Sequence, residues 1–449
     1  MSSREPSEHG THLRRELGLW ALVFYGIIMI QPVAPMPLFG VVSQVALGHM
    51  VTTLAAGMGA MLLTALSYGR MARAYPSSGS VYTYVSREIN PSVGFITGWS
   101  TMLSYLFNPI ISAIWCAKAA VNVTPQIAFQ IWLVFFVLLF TALNLLGIRA
   151  SARTTQALVI AMGAVIVAFF VAAARYVVHL PALHPSYFTQ PFYDPQTFSF
   201  SAIATGTSIA VLTFVGFDGV STLSEEAHNP RRNILLATVL TCFIMGVLSI
   251  LEVYAGQLVW PDFRHYPDVD TAFSYVAGRA GGPVMFQVVN FTLLVASLGA
   301  GMAAQLSAVR LLYGMGRDDV IPKRFFGAID ARRAIPRNNV LFTGAIVMLG
   351  GFAVSYQLGA ELLNFGAFIA FMGVNAAAFV RACFHETPRR WLDCALPATG
   401  FLICFGIWAS LRPPVLIAGA IWVLAGVIYG AVKTNGFRRK VAFAEVPIE

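Results

Sequence analysis

The chain has 449 residues, of which 57% are apolar and only 11% charged, with a formal net charge of +9. Soluble domains carry about 25% charged residues, so an array of soluble domains is excluded. The apolar residues fall in blocks of about 20, the length that crosses a hydrocarbon core of roughly 30 Å at about 1.5 Å per residue.

In chain order, residues 1–17 form a polar tail containing Glu5, Glu8 and Glu16. It lacks a short apolar core followed by a small-residue cleavage site, so the first apolar block is expected to be a retained helix rather than a signal peptide. The blocks predict twelve membrane helices near 18–44, 49–73, 92–119, 126–146, 155–178, 201–225, 234–259, 283–314, 339–356, 360–382, 395–411 and 414–433. A second tail, 434–449, follows. Numbering the loops alternately puts 24 of the 29 Lys and Arg residues on the side of the N-terminus and only Lys118, Arg175, Arg264, Arg279 and Arg412 on the other. The positive-inside rule therefore predicts both termini in the cytoplasm. The basic excess serves insertion and predicts no nucleic-acid partner.

Two blocks are interrupted. The first contains Gln31, Pro32, Pro35 and Pro37, and a proline inside a helix removes a donor and clashes with the carbonyl four residues back. The sixth holds Asp218 between Gly216 and Gly219, an ionisable group at bilayer depth in a sequence that resists regular helix. Broken backbone in a membrane is tolerated only where it faces protein or a cavity. Five helices separate the breaks, the spacing expected of two inverted copies, 18–178 and 201–382, followed by a helix pair at 395–433. That is the pattern of secondary transporters whose substrate sits where the broken helices meet.

Several strings then resemble the amino acid-polyamine-organocation superfamily of permeases, and within it the bacterial putrescine importers. They are PSSGSVYTY at 76–84, GWSTMLSYLF at 98–107, GFDGVSTLSEE at 216–226, NPRR at 229–232, RLLYGMGRDD at 310–319 with IP at 321–322, and LNFGAF at 363–368. The resemblance covers essentially the whole chain and is more specific for fold than for substrate. It implies an all-α integral membrane protein of the LeuT-like fold, with twelve transmembrane helices, a 5+5 inverted repeat, discontinuous helices 1 and 6, and alternating access. It also implies that the backbone around Met29, Ile30, Gln31 and Pro32 and around Val215, Gly216 and Phe217 lines the substrate site. Asp218 matches an acidic position linked to substrate or proton. A bacterial inner-membrane location follows from the same likeness.

Amino-acid permeases of this superfamily hold a substrate carboxylate on backbone N–H groups of a small, glycine-rich break. This chain has GIIMIQP at 26–32 instead, with bulky side chains and a proline that has no donor, which favours a di- or polyamine such as putrescine over an amino acid. Against that, Ser104 stands where the putrescine importers carry an Asp. A second ammonium would need Glu252, near the outer end of helix 7 and expected at the membrane interface, or Asn108. Tyr105, Phe107, Phe214 and Phe217 offer ring faces, each attracting an ammonium by about 0.5–2 kcal/mol, or are core packing. The alternative substrate class is an amino acid.

No cofactor is expected. The lysine that replaces a sodium ion in some relatives has no counterpart at 161–163, which is apolar, so a proton is expected to couple through Asp218, with Glu225 and Glu226 as further candidates. Sodium, with Ser297 and carbonyls of helix 1 as ligands, is the second choice. Glu225 and Glu226 with Arg231 and Arg232 read equally as a solvated cluster at the inner gate. Cys116, Cys242, Cys383, Cys394 and Cys404 are scattered, without a CxxC pair, and predict neither a metal site nor a disulfide framework. No HExxH, GxSxG or ligand-spaced His or Cys pair points to an enzyme. No filter motif points to a channel. A non-transporting membrane sensor is the remote alternative, and oligomeric state is not set by the sequence.

Overall fold

The computed structural model describes residues 17–75, 80–146, 152–181, 185–223, 227–317, 321–330, 335–385, 390–434 and 436. Among these the architecture is helical throughout, and the only β pairing is two isolated bridges, Leu17 to Ala227 and Asp330 to Ile335. Helices α1 (Leu19–Ile30) and α2 (Phe39–Val45) together make the first predicted span. They are followed by α3 (Met50–Ala74), the short α4 (Ser80–Glu88), α5 (Pro91–Val123), α6 (Phe129–Leu145) and α7 (Ala152–Val178). The sixth predicted span is α8 (Phe200–Ala210), then two 3₁₀ segments, Val211–Phe214 and Phe217–Leu223. Next come α9 (Pro230–Val259), α10 (Ala272–Arg317), α11 (Lys323–Phe326), α12 (Arg337–Ala353), α13 (Tyr356–Val380), α14 (Trp391–Ala409) and α15 (Pro413–Lys433).

Nine described helical segments are long and apolar enough to cross a membrane. The other three predicted spans are the broken first one and two 17-residue helices, α6 and α12. The sequence did not predict α4, which lies in the PSSGSVYTY string. The span expected at 283–314 is preceded by a turn at Gly282, whose φ of 77° and following Pro283 divide α10.

One large apolar core runs through α1, α3, α5, α9, α10 and α13. The last helix is fastened separately. The indole N–H of Trp99 on α5 donates to the carbonyl of Trp422 on α15, that of Trp422 donates back to Trp99, both at 3.0 Å, and the rings stack at 5.2 Å. Polar side chains satisfy one another between helices. Asn144 of α6 donates to Gln305 of α10 at 2.9 Å, and Arg412 closes on both carboxylate oxygens of the fully buried Glu361 at 2.8 and 2.9 Å.

Candidate functional site

The two predicted interruptions are real and adjacent. α1 stops at Ile30; Gln31 takes a left-handed φ of 70°, and Pro32 and Pro35 keep the chain unwound until Met36. In the sixth span the backbone tightens to 3₁₀, opens at Val215 and Gly216, and tightens again at Phe217. Asn364, in the LNFGAF string of α13, donates from its amide to the carbonyls of Ser208 and Ile209 at 2.7 and 3.0 Å. Those acceptors sit at the end of α8, where the helical hydrogen-bond pattern changes, so the unwinding leaves them satisfied.

Gly216 joins the breaks. Its φ is 123°, a region that side chains rarely adopt, and a Cβ placed on it would lie 3.1 Å from both the carbonyl carbon and oxygen of Met29 and 3.3 Å from the nitrogen of Ile30. Two backbones separated by 187 positions thus touch with nothing between them. The end of α1 points its last carbonyls, and with them the negative end of a helix dipole, at this junction.

Asp218 lies in the same turn. One of its oxygens accepts the N–H of Gly216 at 3.2 Å, and its own carbonyl accepts the hydroxyl of Ser221 at 2.6 Å. The residue keeps part of its surface open although it is deep in the bundle. The phenols of Tyr68 (α3), Tyr84 (α4) and Tyr105 (α5) all lie within electrostatic reach of its carboxylate. Tyr105 and Met29 are likewise open, at 38% and 45% exposure. Tyr68 is buried against Phe217 and Tyr84 at ring distances of 5.6 and 6.4 Å.

The donors at the breaks are mostly spent. The N–H of Gln31 goes to Ile27, that of Ala34 to Gln31 and that of Met36 to Val33, while Val215 donates to Leu212 and Gly219 to Gly216. Pro32 has none. What remains at the junction is chiefly acceptor: helix-end carbonyls and one carboxylate, an environment for a cation rather than an anion.

The other predicted residues divide. Ile30 is buried beside Gly216. The amide of Gln31 reaches the carbonyl of Ala296 on α10 at 3.4 Å, next to Ser297. Ser104 donates to the carbonyl of Leu363 at 2.7 Å and so ties α5 to α13. Asn108 accepts from Ser112 at 3.4 Å. Phe214 and Phe217 are fully buried, Phe214 against Gly57 and Gly246 and Phe217 stacked on Phe371 at 5.6 Å. Glu225 and Glu226 lie outside the described residues. Glu252, expected at the interface, is instead completely buried, with neither carboxylate oxygen hydrogen-bonded among the described residues. Met245, Ser249 and Gly256, on the same side of α9, are buried with it. Sequence reasoning missed Tyr68 and Tyr84; Tyr84 closes the PSSGSVYTY string, whereas nothing in the surroundings of Tyr68 on α3 marked it. Among the described residues no cluster of His, Cys, Asp or Glu is able to hold a metal.

An all-helical membrane bundle in which two unwound segments meet beside a carboxylate is the architecture of a transport protein. Its family follows from comparison: residues 36–436 match the amino acid permease family model, and the chain belongs to that family. It is 34% identical to the low-affinity putrescine importer PlaP of Escherichia coli K12, across 97% of each chain. It is also 25% identical to the branched-chain amino acid permease BcaP of Bacillus subtilis (93% of this chain, 92% of the other) and 23% identical to the methylthioribose transporter of the same organism over the same shares. It is therefore a multi-pass membrane transporter of amino acid and polyamine type and not an enzyme.

Proposed function

We propose that this protein imports a small organic cation, a di- or polyamine of the putrescine type, by alternating access. The reading adopts the LeuT-like arrangement of twelve membrane helices, with an inverted repeat of 18–178 and 201–382, both termini in the cytoplasm and the chain in a bacterial inner membrane. A proton is the coupling ion, with sodium as the second choice.

The observation that carries it is the junction of Met29 with Gly216, where the partly open Asp218 is the one charged group beside an array of carbonyls. An ammonium there gains a counter-ion, helix-end carbonyls and the ring of Tyr105. A substrate carboxylate would meet the same carbonyls with few donors left to hold it. The 34% identity to a putrescine importer points the same way.

One observation favours an amino acid as substrate. Ser104 is committed to Leu363, so that position offers no second anchor for the far ammonium of a diamine, and a branched-chain permease is among the relatives. Thermal stabilisation of the purified protein by a panel of amines and amino acids separates the two, since a ligand that binds the folded state raises its melting temperature. Putrescine, cadaverine and agmatine are expected to stabilise it; stabilisation by zwitterionic amino acids alone overturns the substrate class. Counterflow of labelled putrescine in proteoliposomes distinguishes a carrier from a sensor, and Asp218→Asn is expected to lower uptake more than tenfold. Normal uptake by that variant with an unchanged pH profile removes Asp218 from the mechanism.

A further inference from the structure

Glu252 is a carboxyl group that the site described above does not use. It lies on α9 with no exposed surface, and neither oxygen has a hydrogen-bond partner among the described residues. Ser249, three positions earlier and so one turn away on the same side, is also fully buried with an unpartnered hydroxyl. Two orphaned polar groups within one helical turn are rare in a folded interior.

Their position is informative. At about 100° per residue, Thr241, Met245, Glu252 and Gly256 form one stripe of α9. The Thr241 end of that stripe meets α1, since its hydroxyl donates to the carbonyl of Val23 and its side chain fills the space over Gly26. The Gly256 end meets Phe39 of α2 and Phe273 of α10. Glu252 lies on the same stripe between these contacts, between the level of α1 and that of α2.

No fixed charge accounts for it. α2 carries no titratable residue and α1 only Tyr25. On α3 the arginines are Arg70 and Arg73, and on α9 Arg231 and Arg232, all at the opposite ends of those helices from Glu252; Tyr68 of α3 and Asp218 belong to the junction. Toward the near end, Arg279 of α10 is held by the Tyr176 hydroxyl of α7 and the ring of Trp260, Lys118 of α5 by Asp268 and Asp270, His265 by Asp262, and His49 accepts the N–H of Asp194. Arg175, Arg264, Tyr187, Tyr254, Tyr266 and Tyr275 also lie toward that end, Arg412 is held by Glu361, and none of these groups hydrogen-bonds to Glu252 among the described residues.

Asp218 and Glu252 are thus opposites. Asp218 accepts the N–H of Gly216 and keeps part of its surface open. Glu252 is enclosed, and no hydrogen-bond donor reaches its oxygens among the described residues, which disfavours a standing charge. We propose that Glu252 is the proton site of this transporter: it holds the coupling proton while the unwound segment of the first span covers it, and gives it up when the movement of α1 against α9 admits water. Asp218 is left to the substrate cation. The inference rests on the transport reading above and adds to it the residue that carries the proton.

The test is Glu252→Gln, which keeps the shape of the neutral acid but binds no proton, in proteoliposomes with the membrane potential clamped at zero. Counterflow of labelled putrescine at equal pH is expected within about twofold of wild type. Accumulation driven by an inward proton gradient is expected to fall to the equilibrium level. Gradient-driven accumulation like that of wild type overturns the assignment. Wild-type protein that shows no counterflow of putrescine overturns the transport reading instead. Should the variant fail to fold, wild type answers by itself: a membrane-soluble carbodiimide, which modifies neutral carboxyl groups, is followed by mass spectrometry at residue 252. Labelling that falls as pH rises and changes on putrescine addition supports a proton that comes and goes. Equal labelling from pH 5 to 9, with and without putrescine, overturns it.

Discussion

Substitution of Gly216 by alanine puts the contact between the two breaks to a quantitative test. The residue is held at a φ of 123°, and the new methyl would stand 3.1 Å from the Met29 carbonyl group, where the obstacle is main chain and not a movable side chain. Holding a non-glycine residue in such a conformation costs about 1–3 kcal/mol, and the two backbones must also part by a few tenths of an ångström. At about 1.4 kcal/mol per factor of ten, the junction as seen here loses roughly 5- to 150-fold in population. Gly219→Ala is the control, because its methyl would meet only the flexible end of the Met29 side chain, at 3.2 Å. Putrescine uptake and melting temperature of the purified protein, measured for both variants, are expected to drop for Gly216→Ala, by fivefold or more in uptake efficiency, and to stay near wild type for Gly219→Ala. If the two variants behave alike and like wild type, the breaks do not depend on close backbone contact, and the site built on that contact is wrong.

Arg412→Ala leaves the fully buried carboxylate of Glu361 without the Nε–H that its two oxygens share. Breaking a buried pair costs up to about 5 kcal/mol, and because Arg412 is itself 39% exposed a loss of about 2 kcal/mol is expected. The double variant Glu361→Gln/Arg412→Ala is expected to melt above the single one, and a lower melting point would refute the reasoning. Glu88 of α4 gives a pH prediction. Burial pushes its carboxyl upward, but hydrogen bonds from Arg381, His385 and Tyr75 outweigh that and hold it below the ordinary glutamate value. A lowered folded-state value means that the stabilisation is complete above the ordinary glutamate range and is lost as pH falls through the folded value. Glu88→Gln is therefore expected to melt below wild type at pH 7, with the gap closing in acid. A gap that persists unchanged at pH 3 contradicts the assignment.

Much of this was legible in the residues. The break in the first span follows from Pro32 and Pro35, which cannot donate and cannot continue a helix, and that in the sixth from Gly216 beside Asp218; such chemistry is local, so the sequence reports it directly. Hydropathy marked the helices well, because in lipid every backbone group must be satisfied within its own segment. It says much less about which face of a helix is inside, since lipid-facing and core-facing side chains are both apolar. That is why the enclosure of Glu252, Phe214 and Phe217 could not be read from the sequence. Only the tertiary structure brought Met29 against Gly216, gathered Tyr68, Tyr84 and Tyr105 from three helices around Asp218, and committed Ser104 to Leu363. Each of these is a meeting of segments far apart in the chain. The sequence by itself determined where the helices break, while the choice of neighbour at each break depended on how whole helices pack.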